Sequence, residues 1–332
     1  MPVSYPGYPG TDSNNKNEQD YLDLIREHFP QNGPGIVLGP GDDCAVVSCP
    51  DKICLTTDTL QQDVHFRTSY FPPQAIGHKA LAVSLSDLAA MGALPSGFLL
   101  SLVLPGPGLK QEFFRGILEG MSGLAAEHKV LLAGGNICSG RDLGLTVTAW
   151  GAAGDHFLLR RAAPGDILFV LGEIGLARTG LQVLENAPEL TNNYPRSLQG
   201  LFYPRPLVKE GRQLAELPFV RGLMDVSDGL AADIPRLLGP GLGAEIDPDL
   251  PVHPETSAYA EQAGKNPLKF ALAGGEDYAL LGAAEPEGAR PLAEMFPDCL
   301  EIGRVSDTLG LRLGNEDLFE TGFDHFKDHG DR

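Results

Sequence analysis

Paired cysteines, a lysine-bearing phosphate loop, a basic surface and a membrane-length apolar run are all missing from this sequence. Its five cysteines, Cys44, Cys49, Cys54, Cys138 and Cys299, make no C-x-x-C pair and no Cys/His zinc spacing. The regular 44/49/54 interval falls in short apolar segments, where thiols read as small packing groups. Only 25 Lys and Arg stand against 44 Asp and Glu, a formal net charge of −19. That balance argues against a nucleic-acid partner or an anionic membrane surface. No apolar stretch approaches the roughly 20 residues that cross a bilayer. The first residues carry neither a basic n-region nor an apolar h-region, so residues 1–17 read as a flexible extension and the expected compartment is the cytoplasm. No G-x-x-x-x-G-K-[ST] run occurs, which excludes a Walker-type phosphate loop.

What is present is a chain of 332 residues, 42% apolar, enough for roughly two domains. A helix-like face spans Asp20 to Phe29, and β-type runs cover Ile36–Leu38, Cys44–Val47 and Ile53–Thr57, the last ending at Asp58. Pro72-Pro73 opens a long helix to Met91, followed by a strand at Phe98–Leu104 and a helix at Gln111–His128. Val130–Ala133 reads as a strand meeting a turn at Gly134-Gly135, and Leu143–Trp150 as another strand. The small-residue run Gly151–Gly154 marks the domain boundary, giving units at 18–153 and 154–332. In the second unit we expect strands at Asp166–Gly172 and Gly222–Asp225 and helices at 175–184 and 205–214. A loop-rich stretch over 186–205 and short strands near 301–305 and 311–313 complete it. The fold class is α/β of the α+β type, without a strong internal repeat.

Short acidic stretches are the chemical signal. Asp225-Val226-Ser227-Asp228-Gly229 sits where an apolar strand gives way to a helical pattern, a usual place to present ligand-binding groups. Asp42-Asp43 follows Gly39-Pro40-Gly41, Asp58 ends a β-type run after Thr56 and Thr57, and Asp87 lies in an apolar helix. Adjacent carboxylates raise one another's pKa unless a cation neutralises them. A buried, unpaired Asp87 would be expensive. Asp, Ser and Thr oxygens are hard ligands suited to Mg²⁺ bridged to phosphates, and between residues 41 and 66 only Lys52 is permanently basic. Taken singly, Asp42-Asp43 is equally readable as a solvated turn, Asp225 as a turn residue and Asp228 as a helix cap.

Six motifs in order carry a resemblance over about residues 18–326. They are Gly41-Asp42-Asp43-Cys44-Ala45, Thr57-Asp58-Thr59-Leu60 with His65-Phe66, the run from Lys79 to Ala93, Asp225–Leu230, Gly274-Gly275-Glu276-Asp277-Tyr278, and Gly322-Phe323-Asp324-His325-Phe326. Together they resemble the thiamine-monophosphate kinases, in the superfamily of aminoimidazole ribonucleotide and selenophosphate synthetases. The resemblance implies transfer of the γ-phosphoryl group of ATP to thiamine monophosphate, with Mg²⁺. It implies a homodimer whose N-terminal domains build a barrel-like sheet at their interface, and a C-terminal α/β domain. By the same resemblance, Asp43, Thr57, Asp58, Asp87, Asp225 and Asp228 would be Mg²⁺ ligands, with Thr56 contributing a carbonyl or hydroxyl. Asp58, Asp87 and Asp225 would be the catalytic carboxylates. Gly135 and Ser227 match nucleotide-contacting positions, and His65, Glu276 and Phe323 match positions that touch the thiamine phosphate.

Two positions depart from the family pattern. Asn136 stands where the family usually has Asp after Gly-Gly, keeping an oxygen ligand and losing a charge. The nucleotide-contacting arginine before Pro-Gly-Asp maps to Arg160 or Arg161, one residue closer than usual, with Arg160 preferred. A synthetase with another acceptor and a non-catalytic binder of ATP or thiamine phosphates are the rival readings. Against the first, residues 1–35 hold no Cys and the chain ends His329-Gly330-Asp331-Arg332.

Overall fold

A computed structural model describes residues 18–30, 33–39, 44–49, 51–105 and 109–318. The first half runs α1 (Glu18–His28), β1 (Ile36–Leu38), β2 (Val46–Val47), β3 (Ile53–Gln61), α2 (Pro73–Ala90), β4 (Leu94–Pro105), α3 (Gln111–His128), β5 (Leu131–Gly140) and β6 (Gly144–Ala152). β3, β6, β4 and β5 form one mixed sheet in that order, with only the β4–β5 pair parallel. The second half holds β7 (Ile167–Leu171), α4 (Leu176–Asn186), α5 (Pro195–Phe202), α6 (Val208–Ala215), β8 (Val220–Asp225), α7 (Leu230–Leu238) and β9 (Gly243–Ile246). It continues with α8 (Pro254–Gln262), α9 (Pro267–Leu272), β10 (Leu280–Ala284), α10 (Ala289–Met295), β11 (Cys299–Ser306), β12 (Gly310–Leu313) and β13 (Glu316–Asp317). Its seven strands order β13-β12-β9-β11-β7-β10-β8, antiparallel except for β12 beside β9.

α2 is the element on which both halves turn. Pro73 opens it in the first helical turn, where its missing N–H costs nothing. From Ala75 to Ala90 nearly every residue is buried, so the helix is apolar all round rather than amphipathic. It packs on β3 and β6, beside α3, and also touches α6 and β8 of the second half. One continuous core therefore joins Leu81, Leu85 and Leu88 to Leu214 and Leu223, each such burial contributing about 1.5–3 kcal/mol.

Three expected boundaries move. β3 does not stop at Asp58 but continues to Gln61, paired residue for residue with β6. β5 runs straight through Gly134 and Gly135 instead of turning there. A Cβ on Gly135 would lie 1.9 Å from the Leu100 carbonyl oxygen, so this glycine permits close strand approach rather than a turn. The expected loop over 186–205 contains a 3₁₀ turn (Pro188–Asn193) and α5, the latter started by Pro195. No helix among the described residues is long and apolar enough to cross a membrane.

Candidate active site

Strand alternation decides which acidic residues meet. On β3, Thr56 and Asp58 face α2, while Thr57 between them turns to the opposite, solvent-facing side of the sheet. Thr56 donates its hydroxyl proton to Asp87 on α2. Ser84, one helical turn earlier, donates to Asp58 at 2.8 Å. The strand and the helix thus hold one carboxylate each at a shared seam. The third comes from the second half: β8 ends at Asp225, which is 5% exposed.

These three groups perturb one another in the direction expected of crowded, dehydrated acids. Burial, then the charges of Asp87, Asp233 and Asp58, push the Asp225 carboxyl up to about 8, against a small opposing pull from the neighbouring Ser86 hydroxyl. Burial and the Asp87 charge push Asp58 up to about 6, with the Ser84 bond opposing. Asp87 is also raised by burial, although the Thr56 bond and the nearby Arg160 guanidinium both favour its charged form.

After β8 the chain turns at Gly229, whose φ of 99° and close approach to the Gly274 carbonyl both require glycine. The backbone amides of Ser227 (3.1 Å) and Asp228 (3.0 Å) donate to Asp233 on α7. Arg236 pairs with both Asp228 and Asp233. Asp228 is therefore not the helix cap that its position suggests; the buried Asp233, held up to about 6 mainly by burial, organises this turn. The Gly275–Tyr278 segment folds back onto it, with Glu276 N donating to Ser227 O (2.7 Å) and Tyr278 N to Val226 O (2.9 Å).

A cavity of about 650 Å³ opens between the two halves at this place, a size suited to a small-molecule substrate. Asp58, Asp87, Asp225, Ser227, Asp228, Arg160, His65 and Glu276 all line it. His65 Nδ1 accepts the Gln61 amide proton at 3.1 Å, which places the ring proton on Nε2. Arg160, not Arg161, reaches the cavity. Arg161 instead packs its backbone against Gly222.

Other expected site residues are placed elsewhere. Thr57 bonds across the open face to Thr148 (3.0 Å) and to the Val147 carbonyl (3.2 Å), so only its backbone stays near Asp58. Gly135 and Asn136 on β5 do not line the cavity. Asn136 registers with Ser101, then Thr146, then Thr59, a row that projects from the open face. Asp43 and Phe323 lie outside the described residues. Among the described residues no three His, Cys, Asp or Glu side chains form a ready cage for one ion. Mg²⁺ typically takes one or two carboxylates plus water and substrate phosphates, so this donor set still fits it. A cation would also relieve the mutual repulsion that adds to burial in raising the Asp225 carboxyl.

Sequence reasoning missed several lining or supporting groups. Arg67 pairs with Glu185 and donates to the Tyr70 hydroxyl at 2.7 Å, forming the far wall of the cavity. Arg178 stacks on Phe270 and donates to its carbonyl at 2.9 Å. Lys79, within the Lys79–Ala93 motif run, is fully buried on α2, which the sequence pattern does not signal.

Residues 41–153 match the family model "AIR synthase related protein, N-terminal domain", and residues 163–314 match its C-terminal counterpart. The thiamine-monophosphate kinase of Aquifex aeolicus is 35% identical over 297 residues, covering 86% of this chain and 92% of that protein. A crystal structure of thiamine-monophosphate kinase from Stenotrophomonas maltophilia superposes with a TM-score of 0.79 at 32% identity, over 90% of this chain and 97% of that one. A structure of AaThiL complexed with AMPPCP and TMP gives 0.74 at 32% identity, over 93% and 97%. The chain belongs to the thiamine-monophosphate kinase family of AIR synthase-related proteins.

Proposed function

We propose that this chain is an Mg²⁺-dependent kinase that transfers the γ-phosphoryl group of ATP to thiamine monophosphate, giving thiamine diphosphate and ADP in the cytoplasm. The observation that carries this reading is the cavity between the halves, where Asp58, Asp87 and Asp225 meet beside His65 and Glu276. In the reaction an oxygen of the acceptor phosphate bonds to the γ-phosphorus. The bond from that phosphorus to the β–γ bridging oxygen breaks, and ADP leaves with the electron pair. The attacking oxygen is already ionised, so no strong general base is required; in-line positioning and charge neutralisation do the chemistry.

Asp58, Asp87, Asp225 and Asp228 are the side chains that would hold Mg²⁺, with Thr56 tied to Asp87 and Asp43 joining from the Gly-rich segment. When bound, the metal neutralises and orients the phosphates. Arg160, whose charge acts on Asp87, and Ser227 on the β8–α7 connection both line the cavity and are assigned to the nucleotide phosphates. His65 and Glu276, with Phe323, are assigned to the thiamine phosphate.

The outer face of the four-stranded sheet carries Leu55 at 65% exposure and Leu99 at 38%. A second copy laid on that face would cover them, complete a barrel-like sheet and bring Gly135 and Asn136 into the assembled nucleotide site. The test is thiamine diphosphate formation from thiamine monophosphate, ATP and Mg²⁺, with thiamine as control acceptor. Product from the monophosphate alone supports the reading; ATP binding without transfer to it overturns it.

A further inference from the structure

We propose that Lys79 is a positioning residue that fixes Glu276 on the acceptor wall of the cavity and ties the Gly275–Tyr278 segment to α2. The Lys79 side chain is 0% exposed, and its Nζ lies 2.9 Å from Glu276 Oε1. That approach is angled poorly for a hydrogen bond, and Nζ has no other polar hydrogen-bond partner among the described residues. Nζ also lies over the Phe71 ring, 5.5 Å from its centroid. A fully buried ammonium with one counter-ion is strongly tied to it, because loss of that partner strands a desolvated charge.

Glu276 is constrained from three sides. Its own backbone adopts a φ of 68°, a left-handed conformation rare for glutamate. Its amide is held by the Ser227 carbonyl at 2.7 Å. The next residue, Asp277, is half-buried and accepts the amides of Gly175 (2.6 Å) and Ala177 (3.0 Å) at the start of α4. These contacts set where the Glu276 backbone sits, and among the described residues its carboxylate pairs with Lys79. Lys79 lies two helical turns before Asp87 on α2, so the pair also links the acceptor wall to the helix carrying a phosphate-side carboxylate. Without the lysine, Glu276 adds an uncompensated negative charge to a cavity already lined by Asp58, Asp87, Glu185, Asp225 and Asp228, facing an anionic substrate.

The inference rests on Glu276 contacting the acceptor, and the experiment separates the two. KM for thiamine monophosphate, KM for ATP and kcat are measured for Lys79→Met, Lys79→Arg, Glu276→Gln and the Lys79→Met/Glu276→Gln double variant. We expect Lys79→Met to raise the acceptor KM on the order of 10–100-fold, the range seen when an outer partner that orients a contact residue is lost. The ATP KM stays within about threefold in the same variant, since Lys79 touches no nucleotide position, and Lys79→Arg recovers part of the loss. The double variant is no worse than the poorer single one, the signature of a coupled pair. Should Lys79→Met fail to fold, Lys79→Arg still reports, because a displaced guanidinium keeps the charge while moving Glu276. An acceptor KM unchanged in Glu276→Gln overturns the acceptor contact itself. An acceptor KM raised in Glu276→Gln but unchanged in the Lys79 variants, or both KM values and kcat shifting together, overturns the positioning role.

Discussion

The two faces of the four-stranded sheet are built from the same strands and carry opposite chemistry. On the inner face Thr56 and Asp58 meet the buried helix α2, Thr56 bonding Asp87 and Ser84 bonding Asp58. On the outer face Leu55, Thr57 and Thr59 alternate with them and look outward, Thr57 bonding Thr148 and the Val147 carbonyl and Thr59 bonding Thr146 on the neighbouring strand. The inner face concentrates charge where water is scarce, which stabilises nothing by itself and is useful only to a ligand that brings positive charge. The outer face exposes apolar surface with satisfied hydroxyls, which is the chemistry of a surface awaiting cover. Under the proposed function, a two-residue period separates phosphate chemistry from association within a single strand.

The strongest break in that comparison is on the inner face. Asp87→Ala should lower turnover by about 10²–10³-fold or more, the scale for removing one charge-stabilising group from a reacting centre. The fold should survive, because a raised, crowded carboxylate is being removed rather than a stabilising one; circular dichroism and steady-state turnover on one preparation check both halves. Folded protein with near-normal turnover would sink the assignment of Asp87.

Metal and pH sharpen the same contrast. The Asp225 carboxyl sits near 8 in the folded protein and near 3.8 in the unfolded chain. Between those values the native state holds the extra proton, so metal-free stability falls as pH rises from about 4 to about 8. Mg²⁺ binds only the ionised carboxylates and competes with protons there. Its stabilisation, about 2.7 kcal/mol at a hundred times its Kd, should therefore be larger at pH 8 than at pH 6, with protons released on binding. Thermal melts with and without Mg²⁺ at both pH values measure this, and an equal or reversed gain would contradict it.

On the outer face, Leu55→Asp should weaken self-association by about 2 kcal/mol, the threshold of an interface hot spot, while leaving the monomer's melting profile unchanged. Sedimentation across a concentration series reads the shift. No concentration dependence in the parent protein would remove the pairing assigned to this face.

Much of this was legible beforehand, for a definite reason. A carboxylate in an apolar helix must find a partner, and Asp87 has one in the Thr56 hydroxyl. The Asp225–Gly229 stretch announced a strand end followed by a tight turn. What stayed hidden depended on pairing across long separations. Lys79 and Glu276 are 197 positions apart in the chain, and nothing local says that a lysine in the middle of α2 is buried. Asp233 reads as an ordinary helical acid until the turn above it is seen donating two amides. Thr56 and Thr57 are equivalent by composition, and only the sheet's packing against α2 says which of them faces Asp87. Gly134-Gly135 misled because two glycines serve a turn and a tight strand contact equally well.

The smallest effect tests whether the outer hydroxyls belong to the sheet or to the chemistry. Thr146 bonds Thr59 at 2.8 Å on the open face, and such cross-strand pairs contribute about 0.2–1 kcal/mol. Thr146→Val keeps the β-branched shape, so strand propensity is retained and only the hydroxyl pair is lost. The variant should unfold within about 1 kcal/mol of the parent in urea, with kcat and the Mg²⁺ dependence of turnover unchanged. A shift in the Mg²⁺ dependence alone would mean that the Thr59–Thr146–Ser101–Asn136 row reaches the phosphates from the far side of the sheet. In that case the division between the faces would hold for the single chain and fail for the assembly.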